Sequence, residues 1–189
     1  NDQYGNDEAA WDAYITKLEE NTNVAVLGIT DYFSIDNYLY LKQKQVAGRL
    51  IGKTLLPNIE LRITPVTQQE TPINIHVIFN PELPTEVIER EFLRCLKFSY
   101  GYSCLKSDLI ALGKAFRNDD SIDDEYARKE GIRQFNVNFQ DLKQIIEKQV
   151  LKNQIIVAVS NSNKDGNSGI QHSSMEATRM EIYRMSDMI

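Results

Sequence analysis

The feature that most limits the fold of this chain is a set of four short apolar runs, which lie between segments of helical pattern. They cover residues 24–30, 54–64, 73–79 and 154–160. Each has the length of a buried strand and falls far short of a membrane span. Apolar residues recur at helical spacing in the segments around them, at 7–21, 32–45, 85–98, 107–116, 138–152 and 175–185. Strands that alternate with helices predict an α/β fold with mostly parallel strands.

Three polar side chains belong to these runs. Asp31 closes the first run, while Glu60 lies within the second and His76 within the third. Burying a carboxylate or an imidazole without a partner is costly, so polar groups delivered by three neighbouring strands predict a shared partner. A divalent metal at the carboxyl end of a sheet or barrel meets that need. Carboxylates and imidazoles are usual ligands of zinc, manganese and iron.

Each of these residues also has a plainer interpretation. Asp31 can cap the helix that follows it. Glu60 can pair with Arg62 or with another neighbour, and His76 can be a hydrogen-bonded core residue. The residues taken singly leave these alternatives open. The placement of Glu60 and His76 on successive strands favours a metal site.

Composition and charge limit the classes of protein to which the chain can belong. Its 189 residues are 42% hydrophobic and 25% charged, as in one soluble globular domain. The net charge of −6 argues against tight nonspecific binding of nucleic acid by this segment. A nuclease stays open, because a metal can neutralise phosphate locally. The two cysteines lie outside any CxxC motif, which predicts reduced thiols in a cytoplasmic protein, away from membranes.

Two further features concern the surface and the ends of the chain. Residues 117–133 carry a run of acidic side chains, which predicts a solvated surface segment, with a metal-binding acidic loop as the alternative. The first residues lack a methionine, and residues 182–189 stop where another strand starts. We therefore expect a fragment of a larger protein, truncated at both ends.

Three short motifs, in this order, resemble those of the PHP domain, the polymerase and histidinol phosphatase superfamily. The motifs are Ile29-Thr30-Asp31-Tyr32, Pro57-Asn58-Ile59-Glu60 and Asn74-Ile75-His76. They correspond to the family's I-T-D-H, P-G-x-E and ligand-histidine segments. The chain most resembles the TrlF-like group, in which a PHP-like domain is fused to an SMC/AAA-like ATPase. The similarity extends over nearly the whole chain, as a single domain spanning 1–189.

The resemblance implies a distorted (β/α)7 barrel with a metal cluster at its carboxyl mouth. It implies phosphoester hydrolysis, with two or more manganese, zinc or iron ions. By family position, Glu60 would bridge two metals, His76 would bind one, and Asp31 would orient groups near the catalytic site. The implied partners are an ATPase domain or subunit and a nucleic-acid substrate, in prokaryotic antiviral defence by analogy, and an oligomer stays open.

The chain also departs from the family pattern. The opening H-x-H and the final D-x-H motifs are missing, and Tyr32 replaces the histidine of I-T-D-H. Residues 160–163 stand where another family histidine follows the fourth strand, and His172 lies in a polar stretch typical of a surface. These departures favour an alternative, a degenerate, non-catalytic scaffold or regulator of the ATPase. A small-molecule phosphatase is a third interpretation, because the sequence shows no basic groove.

Overall fold

The computed structural model describes residues 8–64, 73–98, 101–159 and 176–188. These residues form a mixed α/β structure. The helices described are α1 Glu8–Glu20, α2 Asp36–Val46, α3 Thr85–Val87, α4 Lys106–Arg117, α5 Asp124–Gln134, α6 Phe139–Ile146 and α7 Glu176–Met185. The strands described are β1 Val26–Tyr32, β2 Thr54–Thr64, β3 Ile73–Phe79, β4 Val137–Asn138 and β5 Ile155–Val159. None of the described helices is long and apolar enough to cross a membrane.

The five strands form one open sheet in the order β1-β2-β3-β5, with β4 also paired to β2. Strands β1 and β4 run parallel to β2, whereas β3 runs antiparallel to both β2 and β5. The expectation of mostly parallel strands is therefore wrong for β3. Apolar runs report burial but carry no information on strand direction. A closed seven-stranded barrel is not formed by the described strands.

The sheet has one apolar and one polar face. On β2 the side chains of Leu55, Ile59, Leu61 and Ile63 are buried, whereas most of the residues that alternate with them are partly buried. Asn58 is the buried member of this second set, and Thr54 is exposed. The buried side chains join those of β3 and β5 in the main core, against the helices. Because side chains alternate along a strand, the polar residues of β1, β2 and β3 share the opposite face.

The chain leaves β1 through a strained residue. Phe33 has φ of 54°, a left-handed conformation that costs a bulky residue about 1–2 kcal/mol. Its ring is buried and packs on Phe135 at a centroid separation of 4.9 Å. This turn delays helix α2, which begins at Asp36 rather than at Tyr32 as the sequence predicts.

Helices α4 and α5 cross at two glycines. A Cβ at Gly113 would lie 1.8 Å from the carbonyl oxygen of Ala127, and one at Gly131 would lie 1.9 Å from that of Leu109. Beside the crossing, the buried carboxylate of Glu130 is paired with Arg117 and Arg133. The absence of side chains at the two glycines lets the helix backbones touch.

Two sequence-based expectations about helices need correction. The helix expected over 85–98 is interrupted, because a π-helical turn at Ile88–Phe92 and a 3-10 turn at Leu93–Cys95 follow α3. The helix expected over 138–152 ends at Ile146. The acidic segment 117–133 contains most of α5, and its side chains Asp119, Asp120, Asp123, Asp124 and Glu125 are exposed, which confirms the prediction of a solvated surface for them. The Asp123 carboxylate caps α5 by accepting from the backbone N–H groups of Glu125 and Tyr126.

Candidate functional site

The polar face of the sheet brings Glu60 and His76 together. In the antiparallel pairing of β2 with β3, Glu60 lies directly opposite His76. In the parallel pairing of β1 with β2, Tyr32 is the register partner of Glu60. The three side chains therefore form a row across three strands, where directly opposite Cβ atoms lie about 4.5–5.5 Å apart.

Glu60 is held by two donors that use the same oxygen. The Tyr32 hydroxyl donates to Glu60 Oε1 at 2.5 Å, and Asn74 Nδ2 donates to that atom at 3.0 Å. Among the described residues no donor reaches Oε2, which is left to accept an external partner. Burial and the neighbouring Glu60 carboxylate raise the pKa of Tyr32 to about 12, so the phenol keeps its proton and remains a donor.

The hydrogen bonds around His76 indicate which of its ring nitrogens has no partner in the part of the chain that the structure describes. Asn58 Nδ2 donates to Thr30 Oγ1 at 2.7 Å, which leaves Asn58 Oδ1 as an acceptor. His76 Nδ1 lies 3.3 Å from Asn58 Oδ1 and, in the neutral ring, is the donor of that pair. The lone pair of the neutral imidazole is then on Nε2. This is the arrangement of a ligand histidine whose other nitrogen is fixed by a partner behind it.

Asp31 lies on the other face of the sheet. Its register partner is Ile59, which is fully buried on the apolar side. Its carboxylate accepts from the backbone N–H of Asn37 at 2.7 Å and from Asn37 Nδ2. Asp31 thus binds the first turn of α2, as in the capping interpretation, and the structure does not bring it together with Glu60 and His76. Burial raises the pKa of Asp31 to about 7.

The candidate metal ligands on the polar face are of the right chemical type for a divalent metal, but there are too few of them. Glu60 Oε2 and His76 Nε2 are one carboxylate oxygen and one imidazole nitrogen, whereas zinc usually has three or four protein ligands. Within the part of the chain that the structure describes, no group of three or more His, Cys, Asp and Glu side chains could hold a metal ion. Ser160 and His172 lie outside the described residues. The catalytic and metal-binding roles assigned to Asp31, Glu60 and His76 stay predictions.

Sequence reasoning missed most of the residues that surround Glu60. Arg62 was one of the alternative partners for Glu60, but it donates to the carbonyl oxygen of Ile132 at 2.6 Å and stacks on the Tyr32 ring at 4.3 Å. The amides of Asn58 and Asn74 were available as a signal, because each is polar and alternates with apolar residues in its strand. Their partners depended on the register between strands, which no local pattern reveals.

Comparisons with protein-family models, with curated proteins and with solved structures find no match to this chain.

Proposed function

We propose that this chain is the metal-dependent phosphoesterase domain of a TrlF-like ATPase. The observation that supports the proposal most is the placement of Glu60 and His76 side by side on one face of the sheet. Each keeps one atom, Glu60 Oε2 and His76 Nε2, that has no hydrogen-bond partner among the described residues. The order of the three PHP-like motifs supports the same function. The proposal extends to a nucleic-acid substrate, to a role in prokaryotic antiviral defence and to a cytoplasmic location beside the ATPase domain or subunit.

Each residue of the row has a defined task in this proposal. Glu60 would present Oε2 to a manganese, zinc or iron ion while Tyr32 and Asn74 fix its other oxygen. His76 would present Nε2 while Asn58 fixes the ring. The metal, when bound, supplies an activated water and Lewis acidity toward a phosphoryl oxygen. Asp31 would act from behind, by holding the start of α2 in place.

The proposal also includes a finer architecture than the open sheet. The described strands would form part of the wall of a distorted PHP-type barrel, with the polar face toward its interior. The antiparallel β3 is a departure from the parallel strands of such barrels. It still delivers His76 to the face that carries Glu60, because antiparallel partners in register point to the same side.

Cleavage by the full-length protein tests the proposal. With Mn²⁺ and a nucleic-acid substrate, we expect Glu60→Gln and His76→Ala each to lower the cleavage rate by about 10- to 100-fold or more. Glu86→Gln provides the matched control, because Glu86 is exposed and outside the polar face. The proposal fails if wild-type cleavage is independent of metal, or if neither substitution changes the rate.

A degenerate, non-catalytic domain that regulates the ATPase is the second candidate. The short hydrogen bond from the Tyr32 hydroxyl to Glu60 Oε1 favours it, because a phenol occupies an oxygen that would otherwise be free to bridge two metals. On this alternative, Glu60→Gln and His76→Ala change stability or assembly with the ATPase. They leave any cleavage by the full-length protein unchanged, which separates the two candidates.

A further inference from the structure

A crevice opens where two strands share one side of β2. Strand β1 pairs with β2 as far as Glu60, and β4 takes over from Ile63. Arg62 lies between Glu60 and Ile63, where neither β1 nor β4 is paired with β2. The carboxyl end of β1 therefore faces the start of β4 across a gap in the sheet, and crevices at the carboxyl ends of strands are common ligand sites in open α/β sheets.

The crevice continues into a cleft of about 460 Å³ between β1, the start of α2 and the end of α5. Small-molecule sites typically measure about 300–1,000 Å³, so a ligand of nucleotide size fits this volume. Its charged lining is predominantly basic. It comprises Arg62, Arg128, Lys129 and Arg133, with the carboxyl groups of Asp31 and Asp36 as the acidic members.

This basic cleft contrasts with the chain as a whole, which carries a net charge of −6. Its two acidic members are engaged, since Asp31 accepts from Asn37 and Asp36 is paired with Arg128 at 2.5 Å. Two further cations are also paired, Lys129 with Glu125 and Arg133 with Glu130, so Arg62 is the cation of the cleft without a carboxylate partner among the described residues. The raised pKa of Asp31 further weakens its negative charge near neutral pH. The cationic residues of the cleft come from separate parts of the sequence, so no local run of basic residues marks it.

Two of the arginines are held in place by some of their N–H groups, while other N–H groups have no hydrogen-bond partner among the described residues. Arg62 uses Nη1 on the carbonyl oxygen of Ile132, and its guanidinium lies 4.3 Å from the centre of the Tyr32 ring. Arg128 uses Nη2 on Asp36. Its Nε is buried and has no hydrogen-bond partner among the described residues. A buried donor without a partner is costly, and it marks a position where an acceptor is favoured.

We propose that this cleft binds the phosphate group of a nucleotide-sized ligand. Arginine guanidinium groups match the geometry of phosphate oxygens and keep their charge at all physiological pH values. The Tyr32 and Arg62 stack gives the cleft a rigid wall. The site needs neither metal nor the free atoms of Glu60 and His76, so it does not depend on the proposed hydrolysis.

Calorimetric titration of the protein in EDTA, with AMP and with inorganic phosphate, tests the proposal. We expect saturable binding of both ligands by the wild type, and a loss of affinity of about tenfold or more in Arg128→Gln. Arg62→Gln should weaken binding similarly, and Arg128→Lys should lie between, because it keeps the charge and loses the planar fork. Thermal unfolding of each variant shows that it is folded.

Controls separate phosphate recognition from general attraction of anions. Arg90→Gln should bind AMP as the wild type does, because Arg90 is an exposed arginine outside the cleft. Because binding is measured in EDTA, it does not depend on metal-assisted cleavage, so failure of the proposed hydrolysis and failure of this site are distinguishable. An oligonucleotide without terminal phosphates distinguishes the source of the phosphate. Stronger binding of the oligonucleotide than of AMP would assign the site to backbone phosphates, and the reverse to a free nucleotide.

Three results would overturn the proposal. The first is the absence of saturable binding of AMP, inorganic phosphate and the oligonucleotide. The second is binding that folded Arg62→Gln and Arg128→Gln variants leave unchanged. The third is equal competition by acetate, which would show that the cleft responds to negative charge rather than to phosphate.

Discussion

At the scale of single residues, Asp31 shows how burial changes the acidity of a carboxyl group that the sequence identifies only as polar. It sits behind the sheet, at the first turn of α2, where Asn37 donates to both of its oxygens. Removal from water is the main cause that raises the pKa of Asp31 to about 7, and the hydrogen bond from Asn37 only partly offsets it.

The raised pKa of Asp31 predicts a pH-dependent stability. Between about pH 4 and pH 7 the folded state holds a proton that the unfolded state releases, so the free energy of unfolding falls as pH rises through this window. The loss attributable to this residue is on the order of 4 kcal/mol, and it is complete above about pH 8. Urea unfolding of wild type and Asp31→Asn at pH 4.5, 6, 7 and 8 measures it.

The comparison between the two proteins isolates Asp31 from other titrating groups. Carboxylates with lowered pKa values, such as Glu19 and Asp108, act in the opposite direction but are common to both proteins. We expect the stability of wild type relative to Asp31→Asn to decline between pH 4.5 and pH 7.5. A difference that is constant over this range would show that Asp31 ionises normally.

The residue types of the candidate site could be read from the sequence, but their neighbours could not. Glu60 and His76 stand out because each interrupts an apolar run. The contacts of Tyr32 and Asn74 with Glu60 depend on which residues face each other across β1, β2 and β3. A register shift of one residue would move each side chain to the other face, and no single segment encodes that alignment.

At the scale of elements, the crossing of α4 and α5 depends on the two small residues at their contact. Substituting alanine for Gly113 or Gly131 places a Cβ within 2 Å of a carbonyl oxygen of the facing helix. The backbones must then separate, which we expect to lower the free energy of unfolding by about 2–3 kcal/mol or more. Chemical denaturation of each variant measures the loss.

Gly28→Ala is the matched control for this prediction. A Cβ at Gly28 would lie 3.7 Å from atoms of Asn58, an ordinary contact distance. We expect the free energy of unfolding of this variant to stay within about 0.5–1 kcal/mol of the wild type. A small increase is expected rather than a decrease, because glycine loses more conformational entropy on folding than alanine. Equal losses in all three variants would mean that the tight helix crossing is not what limits substitution.

The sequence predicts some elements well because local pattern dominates them. Strands β2 and β3 have the expected bounds, since their apolar residues alternate or follow one another without interruption. The interruption of the helix after Val87 was not predictable, because apolar spacing around Phe92 is compatible with α-helical and π-helical turns alike. The start of α5 was missed because its charged residues hide a weak apolar face, although Asp123 is a recognisable cap.

At the scale of the whole molecule, one residue joins the two candidate sites. The Tyr32 ring lies beneath Arg62 of the basic cleft, and its hydroxyl binds Glu60 on the polar face. The strained turn at Phe33 and the parallel pairing with β2 together fix this position. The mixed sheet thus places the basic cleft beside the Glu60 carboxylate and the His76 imidazole, in a chain whose net charge is negative.

Binding of zinc to His76 is the most direct test of the central claim, that Glu60 and His76 share a cation. Long-range proton–nitrogen NMR spectra of the histidine rings can follow it, because the chain has only His76 and His172, and a His172→Asn variant assigns the signals. We predict that zinc shifts the Nε2 resonance of His76, and that Glu60→Gln weakens this effect about tenfold or more while Glu86→Gln does not. An Nε2 resonance of His76 that does not respond to zinc, or a response unaffected by Glu60→Gln, would contradict the account.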